Sequence, residues 1–312
     1  MEPKTDIRIV VNPASAAGKT YRRLPEIVRA LERGLDRRCS FALTRSPGDA
    51  LRLGAEAVAS GTPVLIAVGG DGTIHEVVNG MMGASGGGPP GTALGIVSSG
   101  SGQGFALSLG LPRDIGEQIA IIAGGRTRSV DLGLVTTAPF RRYFINECQI
   151  GIGADVVRKT SRRQKTAGGL LAYGAATVSA IFSSRNVPLT LHLDGEHFPR
   201  SMVLGLSVGN GRLTGGGMSL TPLARLDDGL LDLLLIRGQS LASRLRSFPR
   251  IYTGGYLHDR RFSSRTFRHM EVCSSEPVAV AADGEIIGQV PCTVAIVPSA
   301  LRLICPYACR EN

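Results

Sequence analysis

Along the first third of the chain, short apolar runs alternate with segments whose apolar residues recur at helical spacing. Ile7–Val11 is a short, largely apolar run that stops at Asn12-Pro13, and Leu24–Arg37 follows with apolar positions three and four apart. Ser40–Leu43 predicts a second strand and Pro47–Ser60 a second helix. Val64–Val68 is wholly apolar, ends at Gly69-Gly70, and gives way to helical spacing over Ile74–Met82. Ala93–Val97 repeats the pattern, entering another glycine loop and then Phe105–Leu109. Fully apolar strands alternating with helices predict a parallel sheet covered on both faces.

After about Asp131 the rhythm changes. Strand-like runs follow at Leu189–Leu193, Met202–Val208, Leu230–Ile236, Met270–Cys273, Val278–Ala281, Thr293–Val297 and Leu301–Ile304, with Gly, Pro, Asp and Asn between them. That is the pattern of an antiparallel β-sandwich, interrupted by a helical segment, Ala167–Phe182, and a basic one, Ser240–Tyr256. The expected architecture is α/β plus all-β: an α/β domain over 1–130, a β-sandwich over 131–299, and residues from about 300 to 312 packing back on the first domain. The cleft between the domains is the expected active site.

Composition narrows the function classes. With 312 residues, 43% hydrophobic and 19% charged, wholesale disorder is excluded. Aromatics make up 5% and Trp is absent, which argues against a stacking platform for single-stranded nucleic acid. The net charge is +10, and only Lys4, Lys19, Lys159 and Lys165 among the basic residues are lysines. The cationic excess gathers in Arg158–Lys165 and Arg244–Arg268. No helix-turn-helix, zinc-finger or RNA-binding pattern accompanies it, so an anionic membrane is preferred to nucleic acid as partner. Cys39, Cys148, Cys273, Cys292, Cys305 and Cys309 have no framework or zinc spacing and predict free core thiols. The N-terminus reads as a strand rather than a signal peptide, and Leu170–Phe182 is too short to span a bilayer. The expected location is cytoplasmic with peripheral membrane association, and a homodimer is compatible with the sequence.

Three glycine-rich loops carry the candidate chemistry. Pro13–Thr20 nearly spells a P-loop, but Pro13 stands where the first glycine belongs and has no N–H, which predicts a plain turn with Lys19 solvated. Gly69-Gly70-Asp71-Gly72-Thr73 follows an apolar strand and opens a helix, the setting of an anion site. Its aspartate suits a site that also handles Mg2+ or a proton, or else caps the helix. Ser99-Gly100-Ser101-Gly102-Gln103-Gly104 lacks the dinucleotide fingerprint spacing and suits a phosphate or ribose.

VGGDGTIHEVVNG (Val68–Gly80) resembles the signature of the diacylglycerol kinase catalytic-domain family, which includes bacterial lipid kinases, sphingosine kinases and ceramide kinase. Ile9–Lys19, Leu94–Pro112, Gly209–Ile236 and Ala281–Pro306 resemble further motifs of that family in the same order. The resemblance implies a phosphofructokinase-like α/β domain, a β-sandwich domain, and an ATP- and Mg2+-dependent lipid kinase. It places ATP on Gly69, Gly70, Asp71, Gly72, Thr73 and Glu76, with Asn12 and Thr44 on the first two strand ends and Ser101 at the nucleotide-side hydroxyl position of the third loop. It places a structural Mg2+ on Asp228 with the carbonyls of Arg225 and Leu230; read on its own, Asp227-Asp228 is a hairpin turn.

Two Asp-Gly-Glu triplets compete for the base. Asp194-Gly195-Glu196 reads as a hairpin turn. Asp283-Gly284-Glu285 occupies the family's terminal motif, which implies Glu285 as general base beside Asp71 in the catalytic set. The bacterial diacylglycerol kinase pattern has Asn-Asp where this chain has Gln103-Gly104. Sphingosine and ceramide kinases also lack that Asp and carry an Ala-Asp-Val segment resembling Ala154-Asp155-Val156, which points to Asp155 as a substrate residue. The expected acceptor is therefore a sphingoid or related lipid alcohol, or diacylglycerol. The alternatives are a soluble-metabolite kinase of the NAD kinase type and a non-catalytic nucleotide- or lipid-binding regulator.

Overall fold

The computed structural model describes residues 6–35, 37–99, 103–163, 169–214, 217–251 and 255–306. The chain divides into two compact units, Met1–Val130 with Ser299–Asn312, and Asp131–Pro298.

In the first unit β1 (Ile7–Val11), α1 (Lys19–Gly34), β2 (Cys39–Leu43), α2 (Asp49–Ala59), β3 (Val64–Gly69), α3 (Asp71–Ala84), β4 (Ala93–Ser98), α4 (Gly104–Ser108) and α5 (Ile115–Ala123) follow one another. The strands are parallel: Val11 lies between Leu43 and Val68, and Gly69 pairs with Ser98. Because β2 and β3 flank β1 on opposite sides, the connections leaving β1 and β3 diverge, and a crevice opens at their carboxyl ends. One face is filled by Ile9, Val11, Ile27, Leu31, Ile66, Val97, Ile119 and Ile122, from the strands, α1 and α5. Across α2 and α3 a Cβ on Gly80 would sit 1.9 Å from the Leu51 carbonyl oxygen, so these helices meet at a contact only glycine allows.

Two long strands, β5 (Thr127–Thr137) and, at the end of the chain, β15 (Cys292–Ile304), run from one unit into the other. The second unit continues with β6 (Arg141–Phe144), β7 (Glu147–Gly151), α6 (Ile152–Arg163), α7 (Gly169–Ser183), β8 (Val187–Leu193), β9 (Glu196–Gly209), β10 (Leu231–Arg237), α8 (Leu241–Ser247), β11 (Phe262–Phe267), β12 (His269–Cys273), β13 (Ala279–Ala282) and β14 (Glu285–Gln289). These strands pair antiparallel in the order β14–β13–β7–β9–β8–β12–β15, with β10 on β9 and β11 on β10. Phe144, Leu191, Leu206, Leu231, Phe267, Val272 and Val294 fill the core between them.

Several sequence expectations are corrected. The helical segment expected over Ala167–Phe182 is preceded by a second, unexpected helix, α6, which carries Arg158 and Lys159. Thr293–Val297 and Leu301–Ile304 are parts of one strand. β6 and β11 were missed because their exposed faces are arginine- and serine-rich, and β7 because buried Glu147 and Gln149 break its apolar pattern. Cys148, Cys292 and Cys305 are buried thiols as expected, but Cys273 is exposed on β12, and Cys309 lies outside the described residues. Burial pushes the Cys292 thiol up to about 12 and raises Cys148 well above its ordinary value, so both stay protonated.

Candidate functional site

At the carboxyl ends of β1, β3 and β4 the chain builds a polar cluster from backbone upward. The Asn12 N–H donates to the Val68 carbonyl at 2.9 Å, and the Ser99 N–H to Gly69 at 2.9 Å, extending the parallel ladder into the loops. Asn12 Nδ2 then donates to Thr73 Oγ1 at 2.9 Å while its Oδ1 accepts from the Ala14 N–H at 3.0 Å, tying the first loop to the second. Thr73 is buried and folds back on the loop: a Cβ at Gly69 would lie 2.5 Å from its hydroxyl. At Gly72, by contrast, a Cβ would meet nothing within 4 Å, so the start of α3 presents open backbone.

Three hydroxyls stand at the centre. Ser15 Oγ lies 2.6 Å from Thr20 Oγ1, Thr20 Oγ1 donates to Ser99 Oγ at 2.8 Å, and Ser15 Oγ also donates to the Asn12 carbonyl at 2.8 Å. They are held by an unusual turn in which Ala16, Ala17 and Gly18 are all left-handed (φ 54°, 55° and 80°). For alanine this costs on the order of 1–2 kcal/mol per residue. The sequence reading took this loop for a failed P-loop and missed Ser15, Thr20 and Ser99. The available signal was hydroxyl residues at both glycine-rich strand ends.

The remaining residues that the sequence resemblance assigns to ATP fall around the same crevice. Asp71 opens α3, and its Oδ2 accepts the Gly104 N–H at 3.1 Å. Where the bacterial diacylglycerol kinase pattern has an acid, this chain thus turns a backbone donor toward Asp71. Glu76 Oε2 accepts the Gly48 N–H at 3.1 Å, and the Thr44 N–H donates to the Val11 carbonyl at 2.9 Å, so the loop after β2 closes the outer side. Lys19 is exposed at the start of α1, as the plain-turn reading expects. Ser101 lies outside the described residues.

In the second unit both Asp-Gly-Glu triplets are hairpin turns with the same backbone: φ is 48° and 87° at Asp194 and Gly195, and 44° and 84° at Asp283 and Gly284. In both, the Asp carboxylate reaches across to backbone N–H groups at the start of a neighbouring strand. Asp283 accepts from Ile145 (2.8 Å), Asn146 (3.0 Å) and Glu147 (2.9 Å), and Asp194 from Arg268 (3.0 Å) and His269 (2.8 Å). Glu285 and Glu196 follow at equivalent places, each the first residue of an outgoing strand and each exposed. Glu196 lies 3.7 Å from the Arg265 guanidinium.

Asp228 sits in the turn before β10, where its Oδ1 accepts the Leu230 N–H at 3.1 Å, while Asp131 Oδ2 holds the next glycine through the Gly229 N–H at 2.7 Å. Burial, with Asp228 nearby, raises the Asp232 carboxyl to about 6. One carboxylate with the carbonyls of Arg225 and Leu230 is an all-oxygen donor set of the kind Mg2+ takes alongside several waters. Among the described residues there is no group of three or more His, Cys, Asp or Glu side chains that could hold a metal by themselves. Asp155 on α6 accepts from Ser184 Oγ at 2.7 Å and pairs with Arg158, which makes it a tie between α6 and the end of α7.

Two stretches of the chain match known domain families. The diacylglycerol kinase catalytic domain matches residues 6–135, and the YegS C-terminal NAD kinase beta sandwich-like domain matches 147–305. A diacylglycerol kinase of Staphylococcus carnosus is 30% identical over 284 residues, covering 91% of this chain and 90% of that protein. The chain belongs to the diacylglycerol kinase catalytic-domain family. A probable lipid kinase YegS-like protein of Chromohalobacter salexigens is 36% identical over 238 residues, covering 74% and 71%. Among solved structures, a putative diacylglycerol kinase from Bacillus anthracis superposes with a TM-score of 0.80 at 22% identity over 99% and 98% of the two chains. An NAD kinase from Archaeoglobus fulgidus in complex with ATP gives 0.52 at 15% identity over 96% and 93%. These likenesses show the fold: an α/β unit and an antiparallel sandwich, as the sequence predicts. The relatives' names, diacylglycerol kinase and probable lipid kinase, make this a lipid kinase family.

Proposed function

We propose that the protein is an ATP- and Mg2+-dependent kinase that transfers the γ-phosphoryl group to a hydroxyl of a lipid. The observation that supports this most is the cluster of Asn12, Ser15, Thr20, Thr73, Ser99 and Asp71 at the divergence of β1 and β3, where α/β folds bind phosphorylated ligands. The open backbone at Gly72, at the amino end of α3, suits the triphosphate. Mg2+, when bound, would neutralise charge building on the phosphates, with Asp71 the carboxylate nearest that role. Glu285 takes the proton from the acceptor hydroxyl; its oxygen bonds to the γ-phosphorus as the bridging P–O bond breaks, and ADP leaves.

The acceptor is a single lipid hydroxyl, of diacylglycerol, a sphingoid base or a related lipid alcohol, met at an anionic membrane surface. Among the described residues no helix is long and apolar enough to cross a membrane. The test is incubation of purified protein with γ-labelled ATP and a lipid panel. Labelled lipid from the wild type, at least ~100-fold less from Glu285→Gln, and little from Asp71→Ala supports the reading. Equal labelling by all three, or none by any, defeats it.

A further inference from the structure

In the second unit α7 and α8 lie side by side, and both turn apolar side chains outward. α7 buries Ala176, Thr177, Ala180 and Ile181, and leaves Val178 and Phe182, one turn apart, 50% and 58% exposed. α8 is inverted: Ser247 is buried and Arg244 faces inward, while Leu241 and Leu245 are 43% and 46% exposed. Arg244 donates to the Ile181 carbonyl at 3.1 Å and to Asn186 Oδ1 at 3.1 Å, and Asn186 also exchanges hydrogen bonds with the Gln239 backbone. The end of α7 and the start of α8 are thereby fixed against each other, so the two exposed pairs share one face. Met202, 53% exposed, extends it, its carbonyl accepting the Gly238 N–H at 2.8 Å.

Charge decides what covers this face. No Asp or Glu occurs from Val156 to Leu193 or from Leu233 to His258, while those two stretches hold ten Lys and Arg. Arg185, Arg237 and Arg246 are exposed beside the apolar residues and have no ion pair among the described residues. A second copy of the chain would bring like charges together, which disfavours a self-contact. Apolar side chains ringed by unpaired cations are the requirement for seating on an anionic lipid surface.

We infer that the α7–α8 face is the membrane-docking surface, with Phe182, Val178, Leu241 and Leu245 entering the lipid and Arg185, Arg237 and Arg246 on the headgroups. The inference rests on the reading of a lipid acceptor and names the surface by which it would be reached. The basic run Arg158–Lys165 precedes α7, but the side chains of Arg162 and Arg163, and Lys165, lie outside the described residues.

The experiment is co-sedimentation of the full chain with phosphatidylcholine vesicles with and without phosphatidylglycerol, with no ATP or acceptor present. Binding is expected only with phosphatidylglycerol, weakening as salt rises. The double variants Phe182→Ser/Leu245→Ser and Arg185→Glu/Arg246→Glu are each expected to bind about tenfold or more weaker. Unchanged melting, and unchanged phosphorylation of a short-chain soluble acceptor, would show that both remain folded. Unaltered vesicle binding by both variants overturns the inference, as does conversion of a dimer to a monomer by the apolar variant with vesicle binding intact. Because binding is read without turnover, a chain that docks but phosphorylates nothing defeats the kinase reading alone.

Discussion

At the scale of single residues, the most informative positions are those where the backbone or a buried group departs from its ordinary preference. Ala16 and Ala17 occupy left-handed backbone that glycine adopts freely, in the turn that places Ser15 and Thr20. Replacing either by Gly is expected to raise stability by about 1 kcal/mol, the reverse of the usual Ala→Gly effect. Loss of stability in a thermal melt would mean that the turn is not left-handed in solution. Tyr256 is fully buried, donates to the carbonyls of Ser219 (2.7 Å) and Leu220 (2.9 Å), and burial pushes its hydroxyl up to about 12. An unfolded tyrosine ionises near 10. Between those values the folded chain binds more protons than the unfolded one, so stability is full below about pH 10 and falls as pH rises toward 12. Tyr256→Phe should cost about 1–3 kcal/mol at neutral pH and flatten that alkaline slope relative to wild type. An identical slope in denaturation curves would remove Tyr256 as its source.

At the scale of elements, the two Asp-Gly hairpins show which parts of the fold were legible. Asp-Gly between two strand-like runs announced the β8–β9 turn directly, whereas the same letters at Asp283-Gly284, read for the family's terminal motif, prove to be the β13–β14 turn. Their shared latch was not legible, because the acceptors' partners lie 74 to 138 residues away in the chain. The hydroxyl cluster of Ser15, Thr20 and Ser99 was hidden for the same reason: Thr20 and Ser99 are 79 residues apart. The central parallel strands of the first unit, β3 and β4, were legible because they are buried and almost wholly apolar. α6 was not, since its cationic face obscures the period. Burial should separate the two latches. Asp283 is nearly buried and holds three N–H groups, whereas Asp194 is exposed. Asp283→Ala is therefore expected to cost about 3 kcal/mol or more and Asp194→Ala about 1 kcal/mol, since water replaces only the exposed acceptor. Equal shifts in melting temperature would show that burial does not govern the latch.

At the scale of the whole molecule, the sandwich is an insertion into the α/β unit rather than its sequel. Asp131–Pro298 is one continuous stretch, while the first unit is completed by the far end of the chain. There Leu303 pairs with Leu94 on β4, and Ile304 joins Ile7, Ile9, Ile66 and Val97 in the core. The last strand thus stabilises the sheet that carries the glycine loops, although some 170 residues of sandwich intervene in sequence. Ile304→Ala removes a buried side chain from that core and should cost about 2–4 kcal/mol. The cost should fall on one unit. Hydrogen exchange is expected to quicken in β1, β3 and β4, which surround the cavity, while β7, β8 and β9 keep their protection. Faster exchange confined to the sandwich, or spread evenly over both units, would show that the final strand does not belong energetically to the first.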